Sequence, residues 1–151
     1  MADAHFASVS ASDDGDTEGL IARRRARIRF FFERISAARP AGAADCFTED
    51  AVVMRVSFSA GRVDGAEMVA RGRPVIREWL SALADRHLSA AVVSCETDED
   101  VFVVRCSWSL DGFHGERVHS TSLGIYEFEG DRITRLRVSS AEEEGEGCPE
   151  S

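Results

Sequence analysis

Residues 101–140, VFVVRCSWSLDGFHGERVHSTSLGIYEFEGDRITRLRVSS, decide the fold. Val101–Leu110 and Val118–Phe128 are rich in β-branched and aromatic residues, the composition of strands. Asp111–Gly112–Phe113–His114–Gly115 separates them, and Glu129–Gly130–Asp131 turns the chain into a third strand, Arg132–Ser140. Upstream, Leu88–Glu96 reads as one more strand, parted from Val101 by an acidic run, Glu96–Asp100. Four strands in succession, joined by short turns, predict an antiparallel sheet.

Working toward the N-terminus, Gly72–Arg73–Pro74 has the form of a helix start, with proline at the first helical position. Val75, Ile76, Trp79, Leu80 and Leu83 carry its apolar face to about Arg86. Ala51–Phe58 is a strand by composition, and 62–70 is a loop or a short second strand. Ala41–Phe47 is expected to be a short helix ending at Thr48–Asp50. A first helix starts near Asp16 or Thr17, buries Leu20, Ile21, Arg24, Ile28, Phe31, Phe32 and Ile35, and is stopped by Pro40. The order places the helices in the N-terminal half and most strands after them, an α+β chain with a mostly antiparallel sheet.

The 151 residues fit one domain, expected over 19–140. A formal charge of −9 is set by the ends. Residues 1–18 hold five acids and no base, and residues 141–151 hold another five, which leaves 17 acids against all 18 bases between them. Both ends are expected to lack structure, as an acidic leader (1–18) and an acidic tail (141–151). Every base is arginine; the chain has no lysine, asparagine or glutamine, which excludes Schiff-base lysines, a phosphate-loop lysine and amide oxyanion donors. No apolar run is long enough to span a membrane, and no basic-then-apolar leader marks secretion, so the expected location is cytoplasmic. Cys46, Cys95, Cys106 and Cys148 lack zinc-ligand spacing and are expected as reduced thiols; neither metal nor cofactor is implied. Arg23, Arg24, Arg25, Arg27 and Arg29 cluster on the first helix, but without interleaved aromatics or a binding motif they predict a solvated face, not a nucleic-acid site.

FTEDAVVM after the second helix, ARGRPVIREWLSAL as the third and IYEFEGDRITRLRV at the end resemble the nuclear-transport-factor-2-like superfamily, in particular its SnoaL-like polyketide cyclase and limonene epoxide hydrolase branch. The resemblance covers about 19–140. It implies a curved sheet closed by three helices into a cone-shaped pocket, a homodimer through the sheet's outer face, and no cofactor. It also tests each catalytic position. Where the ketosteroid isomerases carry a base, a tyrosine donor and a second acid, this chain has Arg55, Phe31 and Gly124. Where the epoxide hydrolases carry their Asp–Arg–Asp set with Tyr and Asn, it has Ser107, Arg105, Val138, Val53 and Arg55, so only the arginine is kept. The last-strand acid of the SnoaL-like cyclases is replaced within Leu136–Arg137–Val138.

With Arg105 turned inward as the resemblance suggests, alternation gives an inner lining of Val101, Val103, Arg105, Ser107 and Ser109. The matching inward residues are Val53, Arg55 and Ser57; Ser120, Ser122, Gly124 and Tyr126; and Leu136 and Val138. Trp79 completes the expected ligand contacts from the third helix. Trp108, with Phe102, Val104, Cys106, Leu123 and Ile125, would then form an apolar outer face suited to a dimer. Arg55 and Arg105 would orient a carboxylate, phenolate or enolate or stabilise developing charge; alternatively each pairs with a carboxylate such as Glu67, Glu78 or Asp64. Tyr126 and His114 are the candidate proton handlers, although His114 in a Gly-flanked turn also suits a solvated histidine. The function expected is a pocket for a small apolar or acidic metabolite, used by a cofactor-independent cyclase, isomerase or dehydratase of secondary metabolism, or by a non-catalytic binding or assembly module.

Overall fold

The structure is a computed structural model that describes the backbone of residues 2–59, 62–98 and 100–139, with side chains for 17–57, 64–98 and 100–139. The acidic tail expected at 141–151 lies outside the described residues. Three helices, α1 (Ala2–Ser36), α2 (Pro40–Ala44) and α3 (Arg73–Asp85), pack on one face of a six-stranded sheet. Its strands are β1 (Phe47–Ser59), β2 (Arg62–Arg71), β3 (Ser89–Asp98), β4 (Val101–Asp111), β5 (Arg117–Glu129) and β6 (Arg132–Ser139). The spatial order is β2-β1-β6-β5-β4-β3, antiparallel at every pair except β1 with β6, which is parallel.

All the expected elements form, and the differences have local causes. Helical backbone extends to Ala2, so the stretch 2–18 that was expected without regular structure belongs to α1. β1 begins at Phe47, ahead of the expected Ala51, because the sequence 47–50 is held beside Ile133 of β6. That contact is long-range and local propensity carries no sign of it. The stretch 62–70 settles as a strand hydrogen-bonded to β1 through two register shifts.

Aromatic packing anchors the helices. Phe31 of α1 meets Phe47 edge-on at 5.3 Å and Tyr126 at 6.3 Å, and both partners are buried. Ile28, Phe32, Ala43, Ala44, Ile76 and Leu80 complete the core from the three helices. Burying each large apolar side chain contributes about 1.5–3 kcal/mol. The arginines of α1 are not simply solvated. Arg24 donates to the Gly130 carbonyl at 2.7 Å and lies over Phe128; Arg27 reaches the Asp131 carboxylate at 3.2 Å. Arg25 donates to the Cys95 carbonyl and to Thr97 Oγ1 and lies over Phe102 at 5.9 Å. Three of the five clustered guanidiniums therefore tie α1 to the sheet, one at its β3 edge and two at the β5–β6 turn.

Candidate functional site

The strand registers sort the helix-side face of the sheet into rows running from β1 to β3. The first row holds Val53, Leu136, Tyr126, Phe102 and Thr97. The second holds Arg55, Val138, Gly124, Val104 and Cys95, with Glu67 of β2 opposite Arg55. Ser122, Cys106 and Val92 form a third row with Ser57 at its far end, and Ser120, Trp108 and Ala90 a fourth.

The first row is a sealed floor. Val53, Leu136, Tyr126 and Phe102 are each at most 3% exposed. Gly124 in the second row leaves its space to a neighbour: a Cβ there would lie 3.0 Å from the Tyr126 ring and 3.5 Å from Leu136. The Tyr126 ring thus fills the gap that a side chain at 124 would otherwise occupy. Burial pushes its phenol well above the ordinary tyrosine range, so the group keeps its proton at neutral pH. Burial likewise pushes the Cys46 thiol up to about 11 and raises Cys95 and Cys106. These three free cysteines are poor nucleophiles as they stand.

Above the floor the lining changes. Ser122 is buried, while Cys106, Trp108, Ser120, Ser57 and Val138 are partly open to solvent. The Cys106 thiol lies 3.4 Å from the Ser122 hydroxyl. Trp79 projects from α3 against the same core. Among the described residues of the four rows, the only charged side chains are Arg55 and Glu67. Their 3.4 Å contact joins groups that are 54% and 70% exposed, a long and solvated ion pair at the lip of the face.

Not every expected pocket residue is gathered there. Arg105 pairs across the sheet with Leu123 and Ser94, Ser107 with Thr121 and Ala91, and all of these lie on the outer face. Arg105 is exposed on that face, opposite to the expected side. Trp108, Phe102, Val104 and Cys106, expected outside, face the helices. The resemblance implies one phase for β4, whereas the buried alternation of Phe102, Val104 and Leu110 sets the other. Val101, Val103 and Ser109 move to the outer face with Arg105. His114 sits in the exposed β4–β5 turn, its backbone N–H donating to Glu116 at 3.1 Å, away from the four rows. Of the carboxylates expected as possible arginine partners, Glu67 is the one that stands beside Arg55.

Two open hollows are present. One, of about 410 Å³, is lined by Ser107, Ser109 and Thr121 of the outer face and also by Ala90, Trp108 and Ser120 of the fourth row. The other, of about 460 Å³, runs between α2 and α3 beside Arg73, Arg77 and Glu78. No cluster of His, Cys, Asp or Glu among the described residues could hold a metal ion. No described helix is long and apolar enough to cross a membrane.

The model of the SnoaL-like domain family matches residues 28–136, most of the chain and every row residue above except Val138. The chain belongs to the SnoaL-like family. No curated protein sequence matches this SnoaL-like chain. Among solved structures it is similar to an LEH-like epoxide hydrolase of M. tuberculosis, at 17% identity and TM-score 0.63 over 78% of this chain and 82% of that one. It is similar also to SalBIII, an epoxide hydrolase/cyclase-like enzyme of pyran ring formation in salinomycin, at 14% identity and TM-score 0.64 over 78% and 90% of the two chains. TerC, co-crystallised with polyporic acid, matches at 12% identity and TM-score 0.64 over 85% and 99%. At these identities the likeness is one of fold, a SnoaL-like sheet with its helices in the N-terminal half.

Proposed function

We propose that this SnoaL-like domain binds a small, mostly apolar metabolite on the upper helix-side rows, against Ser122, Cys106, Ser120, Trp108, Val138 and Trp79. The observation that carries the reading is the change in lining, from a sealed aromatic floor to partly open hydroxyl, thiol and indole groups. Such a surface offers apolar area with a few placed polar groups, the usual character of a ligand site. The chain has two tryptophans: Trp108 stands in the fourth row, and Trp79 on α3 packs against the same core. Binding of N-phenyl-1-naphthylamine, a neutral apolar probe, should therefore quench the intrinsic tryptophan emission by energy transfer. Ser122→Phe, which fills the third row, should abolish the effect. Unchanged emission at saturating probe, or full binding to both Ser122→Phe and Ser120→Phe, overturns the reading.

A catalytic use of the same surface is favoured by the place of Arg55 at its lip. A guanidinium there stabilises an enolate or alkoxide developing on a bound ligand, which serves cofactor-independent cyclisation or isomerisation. The fold likeness to SalBIII supports this class of chemistry. Tyr126 enters as part of the floor, with its proton held. Arg55→Leu should retain the neutral probe and lose turnover of the bound metabolite; undiminished turnover overturns the catalytic reading.

A homodimer completes the proposal. Val101, Val103, Leu123 and Ile125 are half-buried on the outer face, which no described helix covers. A monomer mass by light scattering at micromolar concentration overturns it.

A further inference from the structure

Resting on the binding site just proposed, we infer that its ligand carries an anionic end received by Arg55, and that Glu67 is an internal competitor occupying that guanidinium until the ligand arrives. Three observations carry this. Arg55 and Glu67 are cross-strand partners on the helix-side face, and within the described rows they are its only charges. Their contact is a single 3.4 Å approach of Arg55 Nη1 to Glu67 Oε1, between side chains more than half exposed. A contact of that length uses one of the five donors of a fork suited to bidentate carboxylate recognition. Directly along the row from Arg55 stand Val138 and Gly124, and the next row holds Ser57, Ser122 and Cys106. An apolar body laid over these residues places its acidic end at the guanidinium. Glu67 is thus a specificity-determining residue: its carboxylate must swing aside for an acid, and it repels an acid that does not displace it.

The strength of an exposed pair sets the size of the effect. Such pairs contribute about 0.2–1 kcal/mol, so removing the competitor should tighten an anionic ligand roughly 1.5–5-fold. The test compares 1-anilinonaphthalene-8-sulfonate, an anionic apolar probe, with its neutral relative N-phenyl-1-naphthylamine on the full chain. Glu67→Gln should tighten the sulfonate by that factor and leave the neutral probe unchanged. Asp64→Asn, the same charge change three residues away on β2, should alter neither. Arg55→Gln should weaken the sulfonate, and adding Glu67→Gln to it should recover less than Glu67→Gln gains in the wild type. The inference is overturned if Glu67→Gln leaves the sulfonate unchanged or weaker, if Asp64→Asn tightens it equally, or if the neutral probe tightens alongside. Failure to bind either probe overturns the binding site as well; neutral binding without the Glu67 effect overturns this inference alone.

Discussion

Phe102 of β4 and Tyr126 of β5 stand directly opposite each other in the antiparallel register, and both are sealed beneath α1. That pair fixes which side of the two strands is inside, since every second residue must follow it. It sends Arg105, three residues along, to the opposite face. Phe102→Ala should therefore destabilise the domain by about 3–5 kcal/mol. Arg105→Ala should change it by about 1 kcal/mol or less, because it alters an exposed position. Denaturant midpoints at constant slope measure both.

The close approach at Gly124 gives a sharper test of the floor. Its Cβ-less backbone lies under the Tyr126 ring, and an added methyl would press on that ring at 3.0 Å and on Leu136 at 3.5 Å. The ring is enclosed by Phe31 and has little room to yield. Gly124→Ala should cost about 1–3 kcal/mol by overpacking, although strand propensity alone would favour alanine over glycine. A second substitution, Tyr126→Leu, should relieve the clash, and the double variant should lose less than the sum of the two single losses. Thermal or denaturant unfolding of the three variants reads this coupling.

Much of this architecture is legible in the sequence. Val118–Phe128 and Arg132–Ser140 announce themselves as strands because β-branched and aromatic residues lie between glycine-bearing turns, and α3 is marked by Pro74 and its apolar spacing. The start of β1 at Phe47 is not legible, because a pairing with β6 more than eighty residues away decides it. The helix-side face was half legible. Alternation puts Val53, Arg55, Ser120, Ser122 and Val138 on it, as the registers do. On β4 alternation allows two phases, and burial follows the apolar set Phe102, Val104, Cys106 and Leu110, not the phase that the resemblance implies for Arg105. The pairing of Arg55 with Glu67 depended on a β1–β2 register containing two irregularities, which spacing alone does not specify.

Arg25 shows how the basic cluster is spent. Its guanidinium donates to the Cys95 carbonyl at 3.1 Å and to Thr97 Oγ1 at 2.8 Å while lying over Phe102. Hydrogen bonds from a charged group contribute about 1.5–3 kcal/mol, and the stacking about 0.5–1 kcal/mol where partly exposed. Arg25→Ala should accordingly cost about 1–3 kcal/mol in a urea titration, whereas Arg23→Ala, at an exposed position on the same helix, should stay within about 0.5 kcal/mol. Arg25→Lys should recover only part of the loss, since an ammonium cannot span both acceptors in one plane. Equal effects at positions 23 and 25 would show that the helix is held by packing alone.

The junction of α3 with β4 should respond to acid. Asp111 accepts from His87 Nδ1 at 2.6 Å and from Arg117 at 3.0 Å, and these contacts, the His87 hydrogen bond first, hold its carboxyl below the usual aspartate value of 3.8. A carboxyl whose folded pKa is depressed releases its proton more readily in the native state than in the unfolded chain. Between the two values the unfolded chain binds more protons, so stability rises with pH there. The contribution is complete above the unfolded value near 4 and is lost as the pH falls through the folded one. Asp111→Asn should remove this acid-dependent component: the wild type should lose more stability than the variant between about pH 5 and the acid limit. The links that brace the same corner without the Asp111 carboxylate, Asp111 N–H to Arg86 O and the Arg86 guanidinium Nε to Asp111 O, survive the substitution, so the variant should still fold at neutral pH. Parallel denaturant titrations of the two proteins from pH 7 downward measure the difference, and stability curves that stay parallel through pH 4 would show that the His87–Asp111–Arg117 contacts carry no folding energy.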